Sequence, residues 1–335
     1  MRLTAVPFAV RRFVVAPVVL LFEASLVATS PLLALAAAIL APLRTGSRVV
    51  RTAAIMVDYS FRHLVCTAAC GGLWVVSGFG RHMGSAHMRR AHYALVRWFV
   101  AGVHRTMTGL MRAEVRVTDS AEAERALSSR QGPVIVLSRH AGEGDSLLVL
   151  HELLVRHRRR LRVVLHEALR LEPLIDILGH RLPNRFVDPR GGDIEPEIAA
   201  LAADLGEQDA LLIFPEGGNF SRSRRRRGIE RLERAGYDEE AAWARKMRHV
   251  SAPRPGGALA AITAAPHADV VFIAHVGTPD GIRQLWRGMA TGQRVQLRLW
   301  VAPAGEIPAG DDARIDWLFG WWCTLDAWID EHQAA

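Results

Sequence analysis

Between residues 13 and 43 the chain carries one charge, Glu23, and the stretch 24–41 is apolar without interruption. About 18–20 such residues suffice to cross the hydrocarbon core of a bilayer, so the pattern predicts a helix that enters a membrane. Pro17, Pro31 and Pro42 punctuate it, which leaves a single span and a kinked or re-entrant hairpin both open. A cleaved signal peptide fits less well, because the apolar stretch is too long and no cleavage-site sequence follows it. A shorter apolar patch, 64–79, is broken by Gly71 and Gly72. Residues 90–112 read as an amphipathic helix with Leu95, Phe99, Val103, Met107 and Leu110 along one side, bordered by Arg97, Arg105 and Arg112. That stripe either packs on the rest of the protein or lies in the bilayer interface.

Beyond Ala113 the texture changes to short β-branched runs alternating with helical patterns. Strands are predicted at 113–118, 133–137, 161–165, 185–187, 210–214, 270–275 and 296–301. Helices are predicted at 121–129, 146–157 and 194–205, with a Trp-rich helix from about Asp311. Strands alternating with helices predict an α/β fold, a mostly parallel sheet flanked by helices, behind an N-terminal membrane-associated helical segment. The domain boundaries follow from that change: 1–112 for the membrane-associated helices and 113–335 for the α/β domain. Residues 219–250, with 10 basic and 5 acidic side chains, read as one or two surface helices inserted into the domain.

Composition narrows the class. With 50% hydrophobic and 23% charged residues the chain is neither disordered nor of low complexity. Three cysteines make no disulfide framework and suit a reducing compartment. The charge is uneven: residues 1–112 hold 13 basic against 2 acidic side chains, and the remainder 29 against 32. Basic charge beside apolar sequence points to anionic membrane phospholipids rather than nucleic acid, for which the chain has no zinc-finger spacing or other fingerprint. His82, His87 and His92 recur every five residues, a spacing that does not align them on one helix face, so no metal site is read there. Cys66 and Cys70, four apart in the apolar patch, read as packing residues.

The chemistry concentrates in VIVLSRHAGEGDSLLVLHELL. His140 follows an apolar strand and Asp145 opens the next helix, and the ends of parallel strands are where α/β sheets place their ligands. A carboxylate bonded to one imidazole nitrogen fixes the tautomer, leaving the other nitrogen free to take a proton from an alcohol. A His bonded to loop backbone and an Asp capping a helix are the bland alternative. Some 70 residues on, ALLIFPEGGNFSR is an apolar strand ending in Phe214-Pro215-Glu216-Gly217-Gly218, a turn whose N–H groups can face an anion.

Together, His140-x4-Asp145 and Phe214-Pro215-Glu216-Gly217 resemble the glycerolipid acyltransferase family, membrane-bound enzymes that acylate 1-acylglycerol-3-phosphate and related lipids. Lesser blocks keep the same order. They are HEALRLEPLIDILG with Glu167, Pro173 and Gly179, then RFVDPR with Asp188 and Arg190. Arg254-Pro255-Gly256-Gly257 and VVFIAHVG at 270–277 follow. The resemblance covers roughly 120–280. It implies His140 as general base, Asp145 as its orienting partner, and Glu216 and Gly217 as groups that position the acceptor or stabilise the tetrahedral intermediate. It also implies Arg190 and Arg254 on the acceptor phosphate. This chain departs from the family pattern at Pro189, which intervenes before Arg190, and at Gly218-Asn219, where the family usually has Thr-Arg. Arg222 or the run Arg224–Arg227 then becomes the candidate to restore the lost positive charge.

The expected reaction is transfer of a fatty acyl group from an acyl thioester to a lysophospholipid hydroxyl in phospholipid biosynthesis. The acceptor expected first is 1-acylglycerol-3-phosphate, with another lysolipid or a glycolipid as the alternative. No cofactor or metal is expected; acyl-CoA or acyl carrier protein serves as the donor substrate. The site is expected at the cell membrane, on its cytoplasmic face. Two other classes compete. Gly144-Asp145-Ser146-Leu147 matches the short motif of GDSL hydrolases, with Ser146 as nucleophile, but Arg139 to Gly144 intervene after the strand, and Asp330-Glu331-His332 is one residue too close for their second motif. A non-catalytic membrane lipid-binding protein on the same fold is the third reading.

Overall fold

The computed structural model describes residues 6–40, 46–142, 144–188, 194–279, 286 and 292–333. Arg190 lies outside them. The chain divides into two compact units. The first comprises 1–113 together with 165–188 and 286–292; the second comprises 114–164, 189–285 and 293–335.

The first unit is mostly helical in its described residues up to Met111. Phe8–Ala28 and Ser30–Ala36 meet at a bend of 49°, beside Pro31, which has no N–H to continue the ladder. Among the described residues no single helix is long and apolar enough to cross a membrane, but this bent pair passes by length and composition. Glu23, the lone charge of the apolar stretch, is buried, and its Oε2 lies 2.6 Å from Nδ1 of His63. Nε2 of His63 faces Glu172. Arg12 reaches Asp176 at 3.4 Å. Residues 64–76 of the apolar patch turn out to be the last part of a 31-residue helix, Gly46–Val76. Its first half escaped the sequence pattern because charges interrupt it, and two of these, Asp58 and Arg62, pair one turn apart at 2.8 Å. Cys66 and Cys70 are buried against Leu174, and Leu95 and Phe99 pack on the same cluster. That half of the stripe on the helix Ala86–Met111 is therefore turned to protein.

The strands are β1 (Ala113–Asp119), β2 (Val134–Ser138), β3 (Arg160–His166), β4 (Arg185–Val187), β5 (Asp209–Ile213), β6 (Asp269–Val276) and β7 (Gln293–Ala302). They form one sheet in the order β1-β7-β6-β2-β5-β3-β4. β2 lies at the centre, with all five residues buried, parallel to β5 (Val136 opposite Leu212) and to β6 (Val136 opposite Val271). β3 is parallel to β5, and β6 pairs antiparallel with β7. Continuous apolar runs in the central strands and the alternation of Val295, Leu297 and Leu299 with polar neighbours in β7 follow from burial on two faces and on one. The C-terminal helix Asp311–Gln333 covers the sheet. Trp321 stacks on Phe272 at 4.4 Å, and Trp317 and Trp322 meet the same ring edge-on. Burying Phe272 completely stabilises the fold by about 1.5–3 kcal/mol. The basic insertion forms two helices, Arg222–Arg234 and Asp238–Lys246, whose Leu232, Ala241 and Ala244 join the main core. The charge run is one face of a packed element, not a detached flap.

The parallel register matters for function. It puts the carboxyl ends of β2, β5 and β6 at one edge of the sheet, which brings residues 139–140, 214–218 and 275–277 together.

Candidate active site

His140 is fixed by its main chain. Its N–H donates to Oε1 of Glu216 at 3.0 Å, and its carbonyl accepts from the N–H of Phe220 at 2.7 Å. The ring packs against Phe214, centroids 4.5 Å apart and planes tilted by 31°. Nδ1 lies 3.0 Å from Oδ2 of Asp145, and the side chain remains 20% exposed, so the ring has one face in protein and one edge open. Among the described residues Nε2 has no partner.

Asp145 is completely buried at the start of the helix Asp145–Leu150. Its Oδ2 accepts from the N–H of Ala141 at 2.7 Å, from that of Gly142 at 3.2 Å, and from His140. Ser146 donates to Oδ1 at 3.3 Å. Burial alone would push this carboxyl up, but the hydrogen bonds it receives from His140 and His275 outweigh it and hold the group well below the usual carboxylate range. Asp145 is thus an anion throughout the neutral range, Nδ1 of His140 must carry the proton between them, and Nε2 is the basic nitrogen.

Glu216 is buried to 2% exposure, and both its oxygens are engaged: Oε1 by His140, Oε2 by the N–H of Ser251 at 2.8 Å. The loop that carries Ser251 is itself held by Asp326, which accepts from the N–H groups of Arg248, His249 and Val250. Glu216 therefore ties three segments together through main-chain donors. Burial pushes its carboxyl up to about 7, against the pull of the two N–H groups. The folded chain then holds a proton on Glu216 between pH 4.5 and 7 that the unfolded chain has released, so this group's contribution to stability falls as pH rises across that window. Wild type is expected to lose about 3 kcal/mol more between pH 4.5 and 7 than Glu216→Gln does. Denaturant unfolding of both proteins across that pH range checks it.

Gly217 has φ +70° and Gly218 φ +144°, conformations open to glycine, and the N–H of Gly217 closes the turn on the carbonyl of Phe214 at 3.0 Å. Gly217 therefore acts through its conformation, since its own N–H is spent on the turn. A Cβ on Gly217 would lie 3.2 Å from the guanidinium of Arg254, and one on Gly218 would lie 2.8 Å from that of Arg224. Nη1 of Arg224 donates to the carbonyl of Gly217 at 3.0 Å. Of the basic residues expected near this turn, Arg224 and Arg254 reach it. Arg222 is exposed at the first position of its helix, where Ser221 caps Arg224 and sets the phase that turns Arg224 inward.

Sequence reasoning missed Arg139 and His275, both buried. Arg139 donates to the carbonyls of His275 and, at 3.0 Å, His249, binding the end of β6 to the loop that follows the insertion. His275 Nε2 lies 3.5 Å from Oδ2 of Asp145. The available signal was a single ionisable residue in the otherwise apolar run VVFIAHVG. The hydrolase reading loses its base here. Among the described residues the Ser146 hydroxyl bonds only to Asp145, while Asp330 pairs with His249 at 2.8 Å and His332 with the carbonyl of Trp328 at 2.8 Å. Away from the site, Asp119, Glu152 and His157 converge, but Arg156 supplies their counter-charge, reaching Asp119 at 2.8 Å and Glu152 at 2.5 Å.

Comparison with known families bears on the class. The model of the family described as Acyltransferase matches residues 114–275, a span that contains most of β1, all of β2 to β5, most of β6 and every residue of the His140 site named above except Asp326. Residues 114–275 belong to the acyltransferase family. No curated protein matches the chain. The acyltransferase domain supports acyl transfer as the activity class, and the chain's seven-stranded, mostly parallel sheet flanked by helices is the fold expected for the sequence.

Proposed function

We propose that this acyltransferase moves a fatty acyl group from an acyl thioester to the hydroxyl of a lysophospholipid, with 1-acylglycerol-3-phosphate as the preferred acceptor and His140 as general base. The observation that carries the reading is the geometry of His140, with Nδ1 against the buried Asp145 anion and Nε2 free at an open edge. Nε2 takes the proton of the acceptor hydroxyl as its oxygen attacks the thioester carbonyl carbon. The imidazolium that forms is stabilised by Asp145. Collapse of the tetrahedral intermediate breaks the C–S bond, and the thiolate leaves with the proton returned from His140. The products are an ester and a free thiol, and no enzyme nucleophile is required.

A phosphate on the acceptor is supported by Arg224 and Arg254, two guanidiniums at the Gly217-Gly218 turn with no carboxylate partner among the described residues. Gly218 and Arg224 fit each other: a side chain at 218 would occupy the place of that guanidinium. Arg224→Ala and Arg254→Ala are each expected to raise KM for the phosphate-bearing acceptor by roughly ten- to a hundredfold, consistent with about 1.5–3 kcal/mol for a hydrogen bond to a charged group. KM for the thioester should stay within about twofold in initial-rate kinetics, because the lost contact is with the acceptor.

Anionic phospholipid and a position at the cell membrane, active site to the cytoplasm, are supported by the first unit. Phe8, Phe13, Leu21, Phe22, Leu32 and Ile39 are exposed along the bent helix pair, in the part of the chain with the largest excess of basic charge. Acyl-CoA and acyl carrier protein both supply the required thioester. An acceptor panel tests the proposal: purified protein on anionic vesicles, offered 1-acylglycerol-3-phosphate, a lysophosphocholine, a glycolipid and a monoacylglycerol. The highest kcat/KM is expected for the phosphate monoester. Equal turnover of the monoacylglycerol, which has no phosphate, would refute the acceptor assignment.

A further inference from the structure

Asp145 is flanked by two imidazoles, and only one of them has a part in the reaction as described so far. His275 is fully buried near the end of β6, and it comes 3.5 Å from the same Oδ2 that receives His140. Its Nε2 also lies 3.4 Å from the carbonyl oxygen of Arg139. Both neighbours are acceptors, so Nε2 carries the proton and shares it between them in a long, bifurcated bond. On the other side of the ring Nδ1 lies 3.1 Å from Oγ1 of Thr278, a hydroxyl able to donate to it. Every polar atom of the ring is thereby matched in one tautomer, the neutral one.

Neutrality has a purpose at this position. A cationic donor would cancel the charge of Asp145 and leave it less able to stabilise positive charge on His140. A neutral donor holds the carboxylate in place and leaves its charge available. The charged groups facing His275 are Asp145 and Arg139. Burial acts with the charge of Arg139 to lower the pKa of His275, and these prevail over Asp145, which favours the protonated ring.

We propose that His275 is a positioning residue for acyl transfer, a neutral donor that fixes the Asp145 carboxylate in the orientation its bond to His140 requires. Ala141 and Gly142 hold Oδ2 from their own loop, one turn before the helix. His275 is the donor that comes to Oδ2 from β6, and so it registers the catalytic loop against the sheet. The inference rests on His140 acting as base, and the test separates the two.

The measurement is a double-variant cycle on the full-length protein, with kcat for acyl transfer as readout. His275→Leu removes the donor and is expected to lower kcat roughly ten- to a hundredfold with KM unchanged, since misplacing a catalytic group by about an ångström costs on that order. In the Asp145→Asn background the same substitution should cost less than about threefold, because the group through which it acts is already gone. Losses that multiply would mean that His275 matters only for packing, and would overturn the proposal. His275→Gln keeps an amide N–H able to reach Asp145 and is expected to retain kcat within about threefold. Should the Leu variant fail to fold, a tenfold loss in the Gln variant would overturn the proposal by itself. His140→Ala, measured alongside, reports on the base. Full activity there defeats the His140 assignment, whereas an inactive His140→Ala with an unaffected His275→Leu defeats the positioning role alone.

Discussion

His140→Ala is expected to lower kcat for acyl transfer by roughly 10²- to 10⁴-fold, the range typical of losing a positioned general base. The fold should survive. The imidazole side chain contributes its bond to Asp145 and its contact with Phe214, whereas the bonds to Glu216 and Phe220 belong to the main chain and persist in the variant. Asp145 keeps the N–H groups of Ala141 and Gly142 and the ring of His275. The stability cost is therefore on the order of 1 kcal/mol, the net worth of one such bond, and Tm should fall by only a few degrees. A large loss of rate with a small loss of Tm identifies a group used for chemistry. A rate that stays within a few-fold of wild type would remove His140 from the mechanism.

Asp145→Asn is expected to cost nearly as much in rate, for a different reason. The amide is close in size, and its oxygen can still accept from the two loop N–H groups, so His140 stays near its place. What disappears is the negative charge behind Nδ1, and with it the stabilisation of the imidazolium formed in the reaction. A fall in kcat of roughly 10²- to 10⁴-fold follows, with KM nearly constant. Stability gives an independent check. The folded-state pKa of Asp145 is depressed, so its contribution to stability is present above the unfolded value of 3.8 and lost as pH falls through the folded value. The gap in stability between wild type and Asp145→Asn should thus be widest at neutral pH and close as pH falls below 3.8. A gap that widens on acidification would mean that Asp145 is not held as an anion.

The elements that the sequence discloses best are those whose pattern is local. β2 and β5 are continuous apolar runs because they are buried on both faces, and their ends carry His140 and Glu216 in plain view. His140 and Asp145 were legible because five residues of one loop bring them together. His275 was not, since it joins them from 130 residues further along, through the pairing of β6 with β2. Arg139 stood next to His140 in sequence, but its targets are carbonyl oxygens of remote loops, which no pattern of side chains reveals. Glu216 was visible as a motif residue, yet its work is addressed to main-chain N–H groups. The choice between Arg222 and Arg224 needed the helix phase, which Ser221 sets by capping. Gly46–Val76 was hidden by its own charges, because periodicity does not show that Glu23 and Glu172 meet His63 at its two ring nitrogens. The helix Pro173–Arg181, with Pro at its start and Glu172 accepting from the N–H of Ile175, carries its N-terminal signal inside the block that also resembles a family motif.

The central claim is that the acceptor hydroxyl, activated by His140, attacks the thioester directly. Its most direct test is thiol release from a long-chain acyl thioester by the wild-type protein on anionic vesicles, measured with and without 1-acylglycerol-3-phosphate. Direct attack requires that release depend on the acceptor, with one ester formed for each thiol and negligible release in its absence. Release at the same rate without acceptor would mean that water or an enzyme nucleophile takes the acyl group, and would contradict the mechanism.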